Sequence, residues 1–348
     1  MIAFYHKKRK KGFFDEDARL SELSQKGDFL EVLNQNIDWE MFRRPVERAM
    51  REQKPKGPGG RPPNDAVVMV KTLILRELYQ LSDDGIEFQI MDRLSFQRFL
   101  GLGLSDDVPD AKAIWYYRNE LTKTRVIGKL FARFYRELEK KQIIANKGVI
   151  VDARFSEVKR QRNSREENAE IKEGNVPEDW LEEGNEAKLR QKDIDARWRK
   201  KNGQSHYGYK NHVKVDEKSK IIKKYVVSSG NVHDSQEIEA LLDTEDAGQR
   251  IYADSAYRSE EIEKLLERQN MKSKIHEKGY RNRSLTTTQK NANRMKSKRR
   301  VRIEHVFGFM ANTMKIRRLR AIGKERIEGV IGLINLTYNI CRYVQILK

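Results

Sequence analysis

The chain has 348 residues, enough for two domains and a substantial core, and its 71 Lys and Arg against 52 Asp and Glu give a formal charge of +19. An excess of that size points to a polyanion such as nucleic acid, because phosphate neutralisation supplies most non-specific nucleic-acid affinity; the plainer reading is a basic soluble protein. The single cysteine, Cys341, excludes an internal disulfide and a multi-cysteine zinc site.

Met1 to Phe14 is basic without the apolar stretch of a signal peptide, and no apolar run approaches the ~20 residues of a membrane span. The expected location is the cytoplasm. Residues 17 to 52 read as helical, with Leu20, Leu23, Phe29 and Leu33, then Trp39, Phe42, Val46 and Met50, at helical spacings. Lys54 to Pro63 (KPKGPGGRPP) breaks the pattern and forms a basic loop, either a phosphate-contacting arm or a linker. From Asn64 a helix carries Val67, Val70, Leu73, Ile74 and Leu78. Ser82 or Asp83 caps the next, Gly85 to Leu94, and Ser95 to Leu100 follows. Asp110 starts another, with Ile114, Tyr117, Leu121, Leu130 and Phe134 on its apolar face. Residues 1–145 are thus an all-helical domain, suited either to helix-turn-helix DNA reading or to packing and dimerisation.

At Lys147 the pattern changes. GVIVDARF (Gly148 to Phe155) reads as a buried strand ending at Asp152. Residues 156 to 204 are highly charged, and a solvated insertion, partly helical or disordered, is expected there. HYGYKNHVKVD and IIKKYVVSS form a hairpin, Gln236 to Leu242 a short helix, and RIYADSAY a second buried strand ending near Asp254. Ser259 to Gln269 is helical and Lys272 to His276 a short strand. A basic helix runs from Thr287 through Glu304 to about Arg318, and Glu325 to Leu347 is amphipathic. Strand, hairpin, helix, strand, helix, strand, helix is the order of a ribonuclease H-like α/β domain, here residues 146–348, which makes the chain α+β overall.

Asp152 and Asp254 end two buried strands, and Glu304 sits on a helix. The ends of neighbouring parallel strands converge at one sheet edge, and a helix across that edge brings in a third carboxylate. Three crowded carboxylates repel one another unless cations sit among them. Mg²⁺ or Mn²⁺ suits such oxygen donors, and two ions about 3.5–4 Å apart activate water or a 3′-hydroxyl and stabilise the leaving oxygen. Taken singly, each acid reads as a cap or as half of a helical ion pair.

The stretches GVIVDARF, SHYGYKNHVKVD, SSGNVHDS, IYADSAYRS and RRVRIEHVFGFMAN resemble the DDE transposases of bacterial insertion sequences, of the IS-five family. The resemblance runs from about Arg61 to the C-terminus. It implies a catalytic and metal-binding triad of Asp152, Asp254 and Glu304, and a homodimer acting on terminal inverted repeats and target DNA. The family's signature around the last acid is Tyr, two residues, Arg, three residues, Glu, six residues, Lys. Arg300 and Glu304 fit, whereas Ser297 and Ala311 occupy the Tyr and Lys positions. Lys315, Arg317 and Arg318 follow and stand in for the missing phosphate contact.

Arg300, Arg302, Lys315, Arg317 and Arg318 are the expected DNA-backbone contacts, with Arg300–Glu304 pairing across one helical turn as the alternative. His233 (in GNVHD), Tyr257 and Arg258 are further candidates for DNA contact; a structural loop histidine and a packed tyrosine are the duller alternatives. Trp198 either stacks on an extruded base or packs. His206 and His212 share a strand face, but a zinc site lacks a third ligand. Two rivals stand beside a transposase: a nuclease on the same fold that does not join ends, and an inactive DNA-binding relic.

Overall fold

The computed structural model describes residues 12, 14–52, 63–161, 163–201, 203–280 and 283–348, so all of the basic loop Lys54–Pro63 except Pro63 lies outside the described residues. Among the described residues the N-terminal part has helices and no strand: α1 (Asp15–Gln25), α2 (Phe29–Asn36), α3 (Arg43–Glu52), α4 (Ala66–Tyr79), α5 (Asp83–Asp92), α6 (Leu94–Leu100), α7 (Ala111–Lys123) and α8 (Val126–Lys140). Short polar side chains start half of them. Asp65 accepts from the amides of Val67 and Val68, Ser82 from Gly85, and Asp110 from Ala113, each satisfying an amide the helix leaves unpaired. The expected helix from Asp110 breaks into α7 and α8 because Arg125 turns left-handed (φ 54).

Six strands form one mixed sheet: β1 (Gly148–Glu157), β2 (Arg197–Lys201), β3 (Gln204–Asp216), β4 (Ile222–Ser229), β5 (Arg250–Tyr252) and β6 (Lys272–Ser273). Central β1 is antiparallel to β3 and parallel to β5, which is parallel to β6. On its other side β3 holds both β2, along its first residues, and β4, along the rest. Gly208, where these strands meet, has backbone of β1 where a Cβ would stand, so only glycine fits there.

The charged stretch 156–204 is ordered rather than merely solvated. It contains α9 (Arg165–Glu173), α10 (Glu186–Gln191) and β2, around a small centre in which Trp180 is fully buried and donates to Glu167 Oε1 at 2.8 Å. Asp193 fastens this segment to the sheet by accepting from the Tyr209 hydroxyl at 2.5 Å.

Apolar side chains cover both sheet faces. Val149 and Val151 join Ile251, Ile262 and Leu266 on one face, under α11 (Ile238–Leu241) and α12 (Glu260–Arg268). The other face carries Ile150, Val213 and Val215, in a core continuous with the N-terminal helices. After α13 (Thr287–Arg300) and α14 (Arg302–Gly308), the last helix, α15 (Lys324–Leu347), packs on α4, α7, α8 and β4. By length and composition α15 is apolar enough to cross a membrane, but 78% of its apolar window is buried in this core. Its polar groups are matched: Asn335 and Asn211 exchange side-chain hydrogen bonds at 2.9 and 3.2 Å, and Asn339 pairs with the backbone of Ile222.

The basic helix expected to reach about Arg318 ends sooner. It bends at Val301, widens into a π-turn over Phe309–Thr313 and reverses at Lys315 (φ 55). Met314, Ile316 and Leu319 are buried, so the chain folds back along β1 rather than extending into solvent. Arg154 receives the freed carbonyls, donating to Phe307 O at 2.7 Å and Ile316 O at 3.0 Å.

Candidate active site

Parallel pairing of β1 with β5 sets Ile150 beside Tyr252; β5 stops there, so Asp254 lies just beyond its end. Strand β1 does not end at Asp152 as expected: it carries Asp152 within the sheet, paired with Val213 of β3, and runs on to Glu157. Asp254 begins the turn Ser255–Tyr257 by accepting from the Ala256 amide at 2.8 Å. Asp152 accepts from the Ala153 amide at 2.8 Å and is 19% exposed. Burial pushes the Asp152 carboxyl up to about 6, and the charges of Asp254 and Asp234 push the same way; the Ala153 amide and Arg300 oppose them.

Glu304 lies on α14 and is 58% exposed. Between the acids lies Arg300, whose Nη1 donates to Asp152 Oδ2 at 3.0 Å and whose Nη2 donates to Glu304 Oε1 at 3.3 Å. The structure therefore sets Asp254 next to Asp152 and links Asp152 to Glu304 through a guanidinium. Among the described residues, no three His, Cys, Asp or Glu side chains converge closely enough to enclose a metal ion.

The remaining candidates divide by what they touch. Arg302 donates to Glu217 O at 2.9 Å, and Arg318 lies 3.9 Å from Glu157. Arg258 pairs with Glu263 at 2.7 Å and Glu277 at 3.3 Å, so its charge is matched within the protein. Lys315 and Arg317 are exposed. His233 is exposed and caps the turn Asp234–Glu237, its ring accepting from the Ser235 amide at 3.3 Å. Tyr257 is fully buried in the core beneath β5, which withdraws its ring from DNA and corrects its place among the DNA contacts. Among the described residues its hydroxyl has no hydrogen-bond partner, and burial with the charges of Asp152, Asp234 and Asp254 drives its pKa well up. Trp198 is 46% exposed and packs on Tyr207. His206 pairs with Glu157 at 2.6 Å, and His212 is buried against Ser228, so the two make no metal pair.

Several supports escaped sequence reading. Arg154 braces the turn after α14, a role readable from its place two residues after Asp152 on the same strand face. Lys210 pairs with Asp234 at 2.6 Å, a long-range contact without a local signal. None of the three acids lines the cleft of Tyr135, Arg136, Lys223 and Glu328 on the β4 side; Glu304 borders a separate, open one with Lys220, His305 and Arg342. A polymer backbone laid across an edge needs no enclosing pocket.

Chemically the acids offer carboxylate oxygens, which suit a hard divalent cation. The raised Asp152 carboxyl and the orphaned, buried Tyr257 hydroxyl are both features that a hydrated cation would relieve.

Comparison with known proteins identifies the family. Residues 145–340 match the family described as "Transposase DDE domain", and residues 18–120 match "Transposase domain (DUF772)". A chain of the piggyBac transposase synaptic complex with hairpin DNA is 12% identical, at a TM-score of 0.43 over 89% of this chain and 73% of that one. The first match spans more than half of the sequence and takes in all three acids. The chain belongs to the DDE transposase family.

Proposed function

We propose that this transposase binds the terminal inverted repeats of its element, cleaves DNA by metal-dependent phosphodiester hydrolysis and joins the 3′-hydroxyl ends to target DNA. The observation that carries the reading is that β1–β5 pairing brings Asp254 next to Asp152 while Arg300 links Asp152 to Glu304, all within the matched region. A ribonuclease H-like description of the catalytic part, residues 146–348, is supported by three antiparallel strands followed by two parallel ones, in the order β4-β3-β1-β5-β6, with helices on both faces. Residues 1–145 are assigned to DNA binding or dimerisation. The sequence motifs support the IS-five family, a bacterial cytoplasmic setting at the nucleoid, and a homodimer on DNA.

Asp152 and Asp254 would hold Mg²⁺ or Mn²⁺, with Glu304 completing the set. A bound divalent ion would supply charge neutralisation and polarise the scissile phosphate; two ions fit the chemistry. The protein's own groups do the rest. The Ala153 and Ala256 amides fix the two aspartates, and Arg154 holds the turn that positions α14. Arg300 keeps Asp152 and Glu304 together when no cation does.

The test uses labelled DNA carrying the ends that flank the gene, with Mg²⁺ or Mn²⁺ and target DNA present. The control is Asp254→Asn, which retains the cap on Ala256. Cleavage and joining by wild type alone is the expected result. Cleavage without joining would favour a nuclease, and binding without cleavage in either metal an inactive relic.

A further inference from the structure

We propose that the outward side of α13, centred on Lys290, Arg294 and Lys298, is a contact surface for the phosphate backbone of duplex DNA leading to the acids. The proposal rests on the transposase reading above and adds a site to it.

The helix is unusual within this chain. Its sequence, TTQKNANRMKSKRR, has no acidic residue, and none of its residues is buried. Hydrogen bonds on one side hold it down instead of an apolar face. Asn293 exchanges two with the backbone of Glu277, Lys296 donates to Ile275 O at 2.7 Å and pairs with Glu277, and Ser297 meets His276 at 3.2 Å. Arg300 continues that inner line to Asp152.

Lys290 flanks that line, on the face of Asn293 and Ser297 but nearer the N-terminal end, and Arg294 and Lys298 turn progressively away from it. All three are exposed, and among the described residues none has a side-chain hydrogen bond or ion pair. Like charges four residues apart on a helix repel one another. Elsewhere in this protein Lys264 is balanced at that spacing by Glu260 and Arg43 by Glu47, whereas Lys129 and Arg133 on α8, far from the acids in sequence, share the unbalanced spacing. The helix dipole favours cations only in the last turn, which accounts for Lys298 but not for Lys290 or Arg294. Three unbalanced charges spaced ~6 Å apart along the axis complement a row of phosphates. Three of the cations that sequence singled out for DNA, Arg258, Arg302 and Arg318, meet protein groups instead, while Lys315 and Arg317 stay exposed, so α13 adds a further open cationic line to theirs.

The test is anisotropy of a labelled random-sequence duplex titrated with the full chain across a series of salt concentrations. The variant is Lys290→Gln/Arg294→Gln/Lys298→Gln. A control, Lys112→Gln/Lys129→Gln/Lys140→Gln, removes the same charge from exposed positions on α7 and α8. The expected result is a fall of about 2.7 in the slope of log K against log salt for the first variant, from three lost contacts at ~0.9 each, with little change for the control. An unchanged slope, or an equal loss in the control, would overturn the proposal. Metal-dependent cleavage by wild type alongside an unchanged slope would overturn the surface and leave the transposase reading standing. A reduced slope without cleavage would do the reverse.

Discussion

Arg300 lies 148 residues from Asp152 in sequence and 3.0 Å from it in space. Its guanidinium occupies the position of countercharge that a divalent cation would otherwise fill, so protein and cation compete to neutralise the same carboxylate. Removing Arg300 should therefore matter most when no metal is present. Arg300→Ala is expected to lose ~1–3 kcal/mol of folding stability in chelator, the range for a partly buried charge-assisted contact. Added Mn²⁺ should recover part of that loss. Denaturant melts with and without Mn²⁺ check it, and identical losses in both conditions would count against the shared position.

Burial pushes the Asp152 carboxyl up to about 6 in the folded protein from an ordinary 3.8. A raised folded-state pKa contributes stability below about pH 4 that is lost as pH rises through 6. Asp152→Asn should thus stabilise the metal-free protein by ~1–3 kcal/mol at pH 8 and change little at pH 4. Divalent-ion binding by wild type, followed by calorimetry, should strengthen as pH rises through 6.

His212 shows the opposite sign. Burial holds its imidazole down at about 4 against an ordinary 6.5, with Nε2 2.7 Å from Ser228 Oγ. Neutral His212 contributes stability that is present above pH 6.5 and fades as pH falls through 4, roughly 3 kcal/mol over the window. His212→Gln should flatten that part of the stability profile; a variant profile parallel to wild type between pH 7 and 4 would show that the group does not titrate this way.

Gly332 in α15 leaves no room for a methyl group. A Cβ there would stand 2.5 Å from the Tyr225 hydroxyl and 2.8 Å from Ile127 Cγ2. Gly332→Ala should cost ~1–3 kcal/mol through overpacking, despite alanine's better helix propensity. Urea unfolding reads the sign directly, since a surface glycine would give stabilisation.

Strands with a hydrophobic signature were legible: β1 and the hairpin lie where the apolar runs and β-branching put them, but β1 does not end at Asp152, because pairing with β3 carries it on to Glu157. Strand β2 was not, because RWRKK has no apolar alternation; the backbone of β3 recruits it. The end of the basic helix was missed because its cause is distant, with Arg154 and the core pocket for Met314 lying far away in sequence. Arg300 was legible as Glu304's helical neighbour, but its bond to Asp152 depends on how α13 docks, and polar side chains without a pattern decide that.

The packing of α15 against helices made some two hundred residues earlier has a consequence for synthesis. A nascent chain paused anywhere before Lys324 lacks the strut on which α2, α4, α7 and α8 close, and it presents their inner faces to solvent. Those first helices must therefore wait on the ribosome for the last one, and a truncated product lacking α15 would be a target for chaperones and proteases rather than a free-standing DNA-binding fragment.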